Sequence, residues 1–238
     1  MDHTGAKLLP FYLVIDVSWS MTQDHKLDAA NRIVPALVDA LARNPVLSDR
    51  VRFGLIDFAD EARVRLPLCD LLAPGLQLPV LAAHGGGTSF AGAFTVLRRE
   101  IEADVARLKA DRYVVHRPAV WFISDGEPTD RGTIWRQAFE DLVSSPAFPN
   151  LVPCGVDRAD LGVMGSLIHP STGPKRMSLY MMEPDFSPAA AITGMQEILV
   201  SSMIQSGYGL ANGGTGTILP ARTALPAGIR QYDPADFV

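Results

Sequence analysis

The segment Phe11-Tyr12-Leu13-Val14-Ile15-Asp16-Val17-Ser18-Trp19-Ser20-Met21 is an apolar run that stops at a carboxylate and then sets two hydroxyls at alternate positions. Residues two apart on an extended chain face the same way, so Asp16, Ser18 and Ser20 converge beyond the end of a strand. Convergent oxygen donors suit a hard cation such as Mg2+, which takes oxygen ligands and keeps some of its waters. The run therefore demands a fold in which a strand ends at a polar site.

A second run, Val120-Trp121-Phe122-Ile123-Ser124-Asp125-Gly126-Glu127, again delivers an aspartate at a strand end, followed by a glycine suited to a tight turn. Between the two lies His84-Gly85-Gly86-Gly87-Thr88-Ser89, a glycine-rich loop that places Thr88 just before an amphipathic pattern. In open parallel α/β sheets the strand ends lie along one edge, where ligands bind. Three segments far apart in sequence can thus build one oxygen-lined site.

The rest of the chain alternates strand and helix patterns. Leu27, Ala30, Val34, Leu37 and Leu41 recur at helical spacing, with Pro35 expected to break or kink that helix. Val51 to Phe58 and Ala62 to Leu68 read as strands whose short Ala59-Asp60-Glu61 connection suits an antiparallel pair. Leu97, Ile101, Val105 and Leu108 form the stripe of the helix after Thr88. Ile134, Ala138 and Leu142, widened by Trp135 and Phe139, form another. Strands at Leu151 to Val156 and Met177 to Met182 flank a helical stretch from about Ala159 to Leu167. A last helix follows Ser187-Pro188, with Ile192, Met195, Leu199 and Met203 as its buried stripe. The alternation predicts a Rossmann-like, doubly wound α/β fold: a mostly parallel six-stranded sheet with one antiparallel strand and helices on both faces. One domain is expected over residues 8–206. Residues 207–238, rich in Gly and Pro, read as a tail in which Ile218, Leu219, Leu225, Ile229, Tyr232 and Phe237 can pack on the domain or on a partner.

Composition narrows the functional classes. With 238 residues, 47% of them hydrophobic, the chain can bury a large core. A net charge of -5 leaves no broad basic footprint for nucleic acid or anionic membrane. The start of the sequence shows no signal-like pattern and no run is long enough to span a bilayer, so a cytoplasmic location is expected. Cys69 and Cys154 stand far apart without a Cys-x-x-Cys or Cys-His cluster, which fits reduced thiols rather than zinc or a disulfide framework.

Asp16-x-Ser18-x-Ser20, the Gly-Gly-Thr88 loop and the Ser124-Asp125-Gly126 strand end together resemble the metal-ion-dependent adhesion site (MIDAS) of von Willebrand factor type A (VWA) domains, in the same order and over most of the chain. The resemblance implies that Asp16, Ser18, Ser20, Thr88 and Asp125 hold a divalent cation, Mg2+ with Mn2+ or Ca2+ as alternatives. It also implies that Asp16 and Asp125 act partly through water, so the ion stays short of direct anionic ligands and accepts an Asp or Glu side chain from a protein partner. Asp125-Gly126-Glu127-Pro128-Thr129-Asp130 is similar to the bacterial tellurium-resistance TerY-like branch. That likeness implies a setting in stress response or tellurium resistance beside a protein kinase and phosphatase. Trp19 departs from the family, which commonly has Gly there; a position needing positive φ would strain a Trp, whereas an ordinary extended conformation accepts it, with the ring either on the site rim as a partner contact or packed inward.

An enzyme reading stands beside the binding one. Aspartates at strand ends also serve Mg2+-dependent phosphoryl transfer, as in haloacid-dehalogenase-like phosphatases, but those resemble Asp-x-Asp, and Ser18 occupies the place of their general acid. The histidines His3, His25, His84, His116 and His169 show no local arrangement that supplies a base to Ser18 or Ser20, and His84 enters the glycine loop. The glycine loops lack the Lys of a phosphate-binding loop. No enzyme activity is expected.

Overall fold

The computed structural model describes residues 5–214 and 216–237. Its sheet is built around β1 (Lys7–Asp16), which pairs in parallel with β2 (Val51–Phe58) on one side and β5 (Ala119–Ser124) on the other. β5 continues in parallel to β6 (Asn150–Gly155) and β7 (Leu179–Met182). The edges are antiparallel: β3 (Ala62–Cys69) against β2, and β8 (Ile229–Tyr232) against β7. All six strands expected from sequence are present. Among the described residues the count rises to eight with β4 (Val114–Val115), two residues beside the start of β1, and β8, so the antiparallel strands there number two rather than one. Both additions are too short for a period-two pattern to show before the partner strand is in place.

Chain direction sorts the helices. The path from β1 to β2 runs one way along the sheet and that from β3 through β5 to β6 runs the other, so right-handed crossovers place their helices on opposite faces. α1 (Lys26–Ala30) and α2 (Ile33–Ala42) pack with α7 (Pro188–Ala211), and α4 (Phe90–Ala110) packs with α5 (Gly132–Val143). Among the shorter helices, α3 (Pro45–Ser48) leads into the start of β2, α6 (Leu161–Gly165) follows β6, and a 3-10 segment over Trp19–His25 follows the end of β1. The helix expected over Leu27 to Leu41 is interrupted at Asn31 and Arg32. Pro35 has no N–H for the carbonyl four residues back, which is that of Asn31, and its ring crowds the same group.

In α5 the buried side chains are Trp135 and Leu142, with Ala138 and Phe139 packed beside the core, while Ile134 is 53% exposed. Of the expected stripe, Trp135, Ala138, Phe139 and Leu142 face the core and Ile134 does not. The larger ring of Trp135 takes the core position against Phe90 at 6.0 Å.

The segment after residue 206 is largely built into the same body. α7 runs on to Ala211. Ile229 is buried, Leu219, Leu225 and Tyr232 pack against the core, and Ile218 and Phe237 stay more than a third exposed. Ser202 Oγ donates to the carbonyl of Ile218 and Ser206 Oγ accepts from its N–H, which fastens the returning chain to α7.

Candidate metal site

β1 and β5 are neighbours at the point where the sheet reverses its winding, with Ile15 opposite Ile123. Asp16 and Ser124 therefore emerge side by side at the carboxyl ends of their strands, the place where an open α/β sheet forms its crevice. The packing beneath them is aromatic. Phe122 lies 5.1 Å from Phe58, 4.8 Å from Phe90 and 5.2 Å from Phe94. Phe90 opens α4 two residues after Thr88, so this cluster fixes the start of the helix against the ends of β2 and β5.

Four of the five expected ligand residues are joined by one chain of hydrogen bonds. Ser124 Oγ donates to Asp16 Oδ2 at 2.8 Å, and the Ser18 N–H donates to Asp16 Oδ1 at 2.9 Å. Ser18 Oγ and Ser20 Oγ are 2.9 Å apart, and Ser20 Oγ donates to Asp125 Oδ1 at 2.8 Å. Asp16, Ser18, Thr88 and Asp125 are all buried. Burial pushes the Asp16 carboxyl up to about 6; the Asp125 charge adds to the rise and hydrogen bonds from Ser18 and Ser124 oppose it.

Thr88 reaches the same place through its backbone. The glycine loop is tied to the first strand end by His84 N–H to Val17 O and Trp19 N–H to Gly85 O, both 3.2 Å. Thr88 and Thr129 bond reciprocally, Thr88 N–H to Thr129 Oγ1 and Thr129 N–H to Thr88 O, each 3.0 Å. The loop is also clasped by Asp60, whose two carboxylate oxygens accept from Gly86 and Gly87 at 3.0 and 2.8 Å. A side chain at Gly85 or Gly87 would meet that carboxylate at 2.1 or 2.3 Å, so glycine is required by the closeness of Asp60 as well as by the positive φ of Gly85.

Two carboxylates and three hydroxyls are the donor set. No three His, Cys, Asp or Glu side chains gather into a metal-holding group among the described residues. An all-oxygen set of low charge fits a hard divalent cation that retains water, and does not fit a site selected for soft ligands.

Residues outside the sequence-derived set complete the site. Lys26, the first residue of α1, has a fully buried side chain whose Nζ lies 2.6 Å from Asp125 Oδ2 and 2.5 Å from Asp157 Oδ2. The Asp157 contact is a hydrogen bond; the contact to Asp125 is an ion pair by distance and lacks directed hydrogen-bond geometry. Burial by itself would lower the Lys26 pKa, but the two carboxylates outweigh it and the net direction is up. Signals for both residues exist in the sequence. Lys26 stands four residues before Ala30 on the buried face of the helix, and Asp157 follows the strand through Val156 much as Asp125 follows Ser124. Asp130 caps α4, accepting from Ser89 Oγ at 3.0 Å and Ala91 N–H at 2.8 Å, whereas Glu127 is exposed.

Trp19 is 59% exposed and lies within the 3-10 segment without a positive φ, so its backbone position makes no demand for glycine. Its ring borders Gly86 on the rim. The histidines do not join the donors: His84 Nε2 is 3.2 Å from Asp57, which also receives Arg65, and exposed His25 pairs with Asp28. His116 and His169 are held toward the neutral form by burial, and His3 lies outside the described residues. Cys69 and Cys154 are free thiols, each pushed up by burial.

Residues 11–127, which run from the first strand through the Asp125 strand end, match the family described as von Willebrand factor type A domain. The chain has the VWA fold. Solved structures share this fold. A von Willebrand factor type A protein from Catenulispora acidiphila is 14% identical with a TM-score of 0.57, over 84% of this chain and 43% of its own. The SpRpn10 VWA domain is 13% identical with a TM-score of 0.55, over 79% of this chain and 95% of its own. Proximal thread matrix protein 1 from the mussel byssus, with a zinc-occupied MIDAS motif, is 12% identical with a TM-score of 0.60, over 84% of this chain and 49% of its own. The chain spans less than half the length of the mussel and Catenulispora structures. No curated protein matches its sequence. Among the described residues no helix is long and apolar enough to cross a membrane.

Proposed function

We propose that this VWA domain is a metal-dependent protein-interaction module. In this reading Asp16, Ser18, Ser20, Thr88 and Asp125 hold a divalent cation, Mg2+ before Mn2+ or Ca2+. The bound ion supplies an open coordination position for an Asp or Glu carboxylate of a partner protein. The observation that carries the reading is the unbroken series Ser124, Asp16, Ser18, Ser20, Asp125 at two adjacent strand ends, linked by hydrogen bonds of 2.8 to 2.9 Å, that between Ser18 and Asp16 through the Ser18 N–H. The zinc-occupied MIDAS motif of the mussel protein supports a divalent ion on this fold.

The chain's own residues prepare the site. Asp60 and Thr129 hold the loop that carries Thr88, Ser124 orients Asp16, and the hydroxyls add donors without adding negative charge. That leaves the ion with positive charge for an incoming carboxylate. A non-enzymatic role is part of the proposal: the residue two after Asp16 is Ser18, engaged with Ser20, where a phosphatase of this kind would place a carboxylic acid. From the likeness of residues 125–130 to the TerY-like branch we further propose a setting in the bacterial cytoplasm, in stress response or tellurium resistance beside a kinase and phosphatase.

Calorimetric titration with Mg2+ tests the metal, and affinity capture from a bacterial lysate with and without chelator tests the partner. The proposal expects Asp16→Ala and Asp125→Ala to abolish the Mg2+ heat and the chelator-sensitive partner alike. Unchanged Mg2+ affinity in both variants would remove these carboxylates from the mechanism.

A further inference from the structure

Lys26 is one of the largest wholly buried side chains in the molecule, and it ends at the metal site rather than in solvent. A buried ammonium loses several kcal/mol of hydration unless closely paired. Here the pairing comes from Asp125, which the site also needs for its cation, and from Asp157, whose side chain is 28% exposed at the outer end. The approach to Lys26 is itself specialised. Asp24 and His25 take left-handed backbone conformations, φ 51° and 56°, so the chain turns sharply and starts α1 with Lys26 pointing inward. Asp125 is thereby divided: Oδ1 receives Ser20 and Oδ2 faces Lys26.

We infer that Lys26 is a built-in counter-cation that competes with the divalent ion for Asp125 and sets how tightly the site holds metal; the inference rests on the metal reading above. Without metal, the ammonium keeps Asp125 neutralised and the strand ends assembled. With metal, it withdraws negative charge from the ion, which weakens metal binding and leaves the ion more positive toward a partner carboxylate. Asp157 tunes the competition by drawing Lys26 outward. Lys26 is thus a positioning residue that shifts affinity from the metal toward the acidic partner.

The two members of the pair must then act in opposite directions. Lys26→Met keeps the apolar stem and removes the charge; because a charge within about 4–6 Å shifts the binding equilibrium of a charged site by about one to three powers of ten, Mg2+ should bind at least about tenfold tighter. Asp157→Asn leaves Lys26 to Asp125 alone and should weaken Mg2+ binding by about threefold or more. Both are measured by calorimetry with Mg2+ alone, beside wild type and Asp16→Ala. Thermal unfolding supplies a second readout: Lys26→Met should be less stable than wild type in EDTA and gain more from Mg2+. If Lys26→Met does not fold in EDTA, it is refolded with excess Mg2+, and the sign of the Asp157→Asn change stands as the independent measurement. Wild type binding Mg2+ while Lys26→Met binds it equally or more weakly, or Asp157→Asn binding it more tightly, overturns the inference and leaves the metal site standing. Wild type and Asp16→Ala both failing to bind Mg2+ overturns the metal reading itself, and the inference with it.

Discussion

Asp16 should destabilise the metal-free protein at neutral pH, and Asp16→Asn should show it. The side chain is wholly buried, and its carboxyl is pushed up to about 6 from an ordinary 3.8. A carboxyl with a raised folded-state pKa binds its proton more tightly folded than unfolded. Its contribution to stability is therefore fully present below pH 3.8 and is lost as pH rises through about 6. At pH 7.5 the ionised group costs about 3 kcal/mol, and at pH 4.5 only about 1 kcal/mol. Asparagine removes that cost and can keep the local bonds. Its carbonyl accepts from Ser18 N–H, and its amide donates to Ser124 Oγ, whose own proton turns to the Gly126 carbonyl at 3.3 Å. For a chain of this length a gain of about 3 kcal/mol raises Tm by about 6–12 °C. Urea unfolding of both proteins in EDTA at pH 7.5 and 4.5 makes the measurement. With Mg2+ at a hundred times its Kd, wild type regains about 2.7 kcal/mol and the gap nearly closes. An Asp16→Asn protein no more stable than wild type at pH 7.5, or a difference that does not shrink toward pH 4.5, would refute the reasoning.

Three further outcomes are expected. Phe90→Ala, which empties a fully buried ring from among Phe58, Phe94, Phe122 and Trp135, should cost about 3–5 kcal/mol in denaturant unfolding and weaken Mg2+ binding by releasing Thr88, while Phe90→Leu should cost about 1–2 kcal/mol. Asp130→Ala removes two bonds at the start of α4 and should lower stability by about 1–2 kcal/mol, read by the same unfolding assay, with faster hydrogen exchange confined to the first turn of that helix. Trp19→Gly should leave Mg2+ affinity within about twofold and reduce chelator-sensitive partner capture by about tenfold or more, as expected for an exposed aromatic at an interface centre; equal losses in both would assign the ring to holding the loop.

Much of the site is visible in the sequence because it is built from strand ends. An apolar run that stops at an aspartate reports a buried strand and a polar exit in the same few residues, and alternation at Asp16, Ser18 and Ser20 reports their common direction without any tertiary information. Local chemistry also marks the helix break: Pro35 cannot satisfy Asn31, and the chain interrupts there. What joins these pieces is not local. That Asp16 sits beside Ser124 depends on β1 lying between β2 and β5, a consequence of crossover direction rather than of either strand's residues. Asp60 and Asp130 look like ordinary loop carboxylates until the fold brings glycine N–H groups to one and the first turn of α4 to the other. Lys26 is the sharpest case. Sequence places a lysine at a helix start, where solvent exposure is the default, and only the arrival of Asp125 and Asp157 from two other strand ends makes burial of its charge possible. Periodicity and turn chemistry are properties of neighbours along the chain, whereas the pairing of a buried charge depends on partners 99 and 131 residues away, which only the assembled sheet brings within reach.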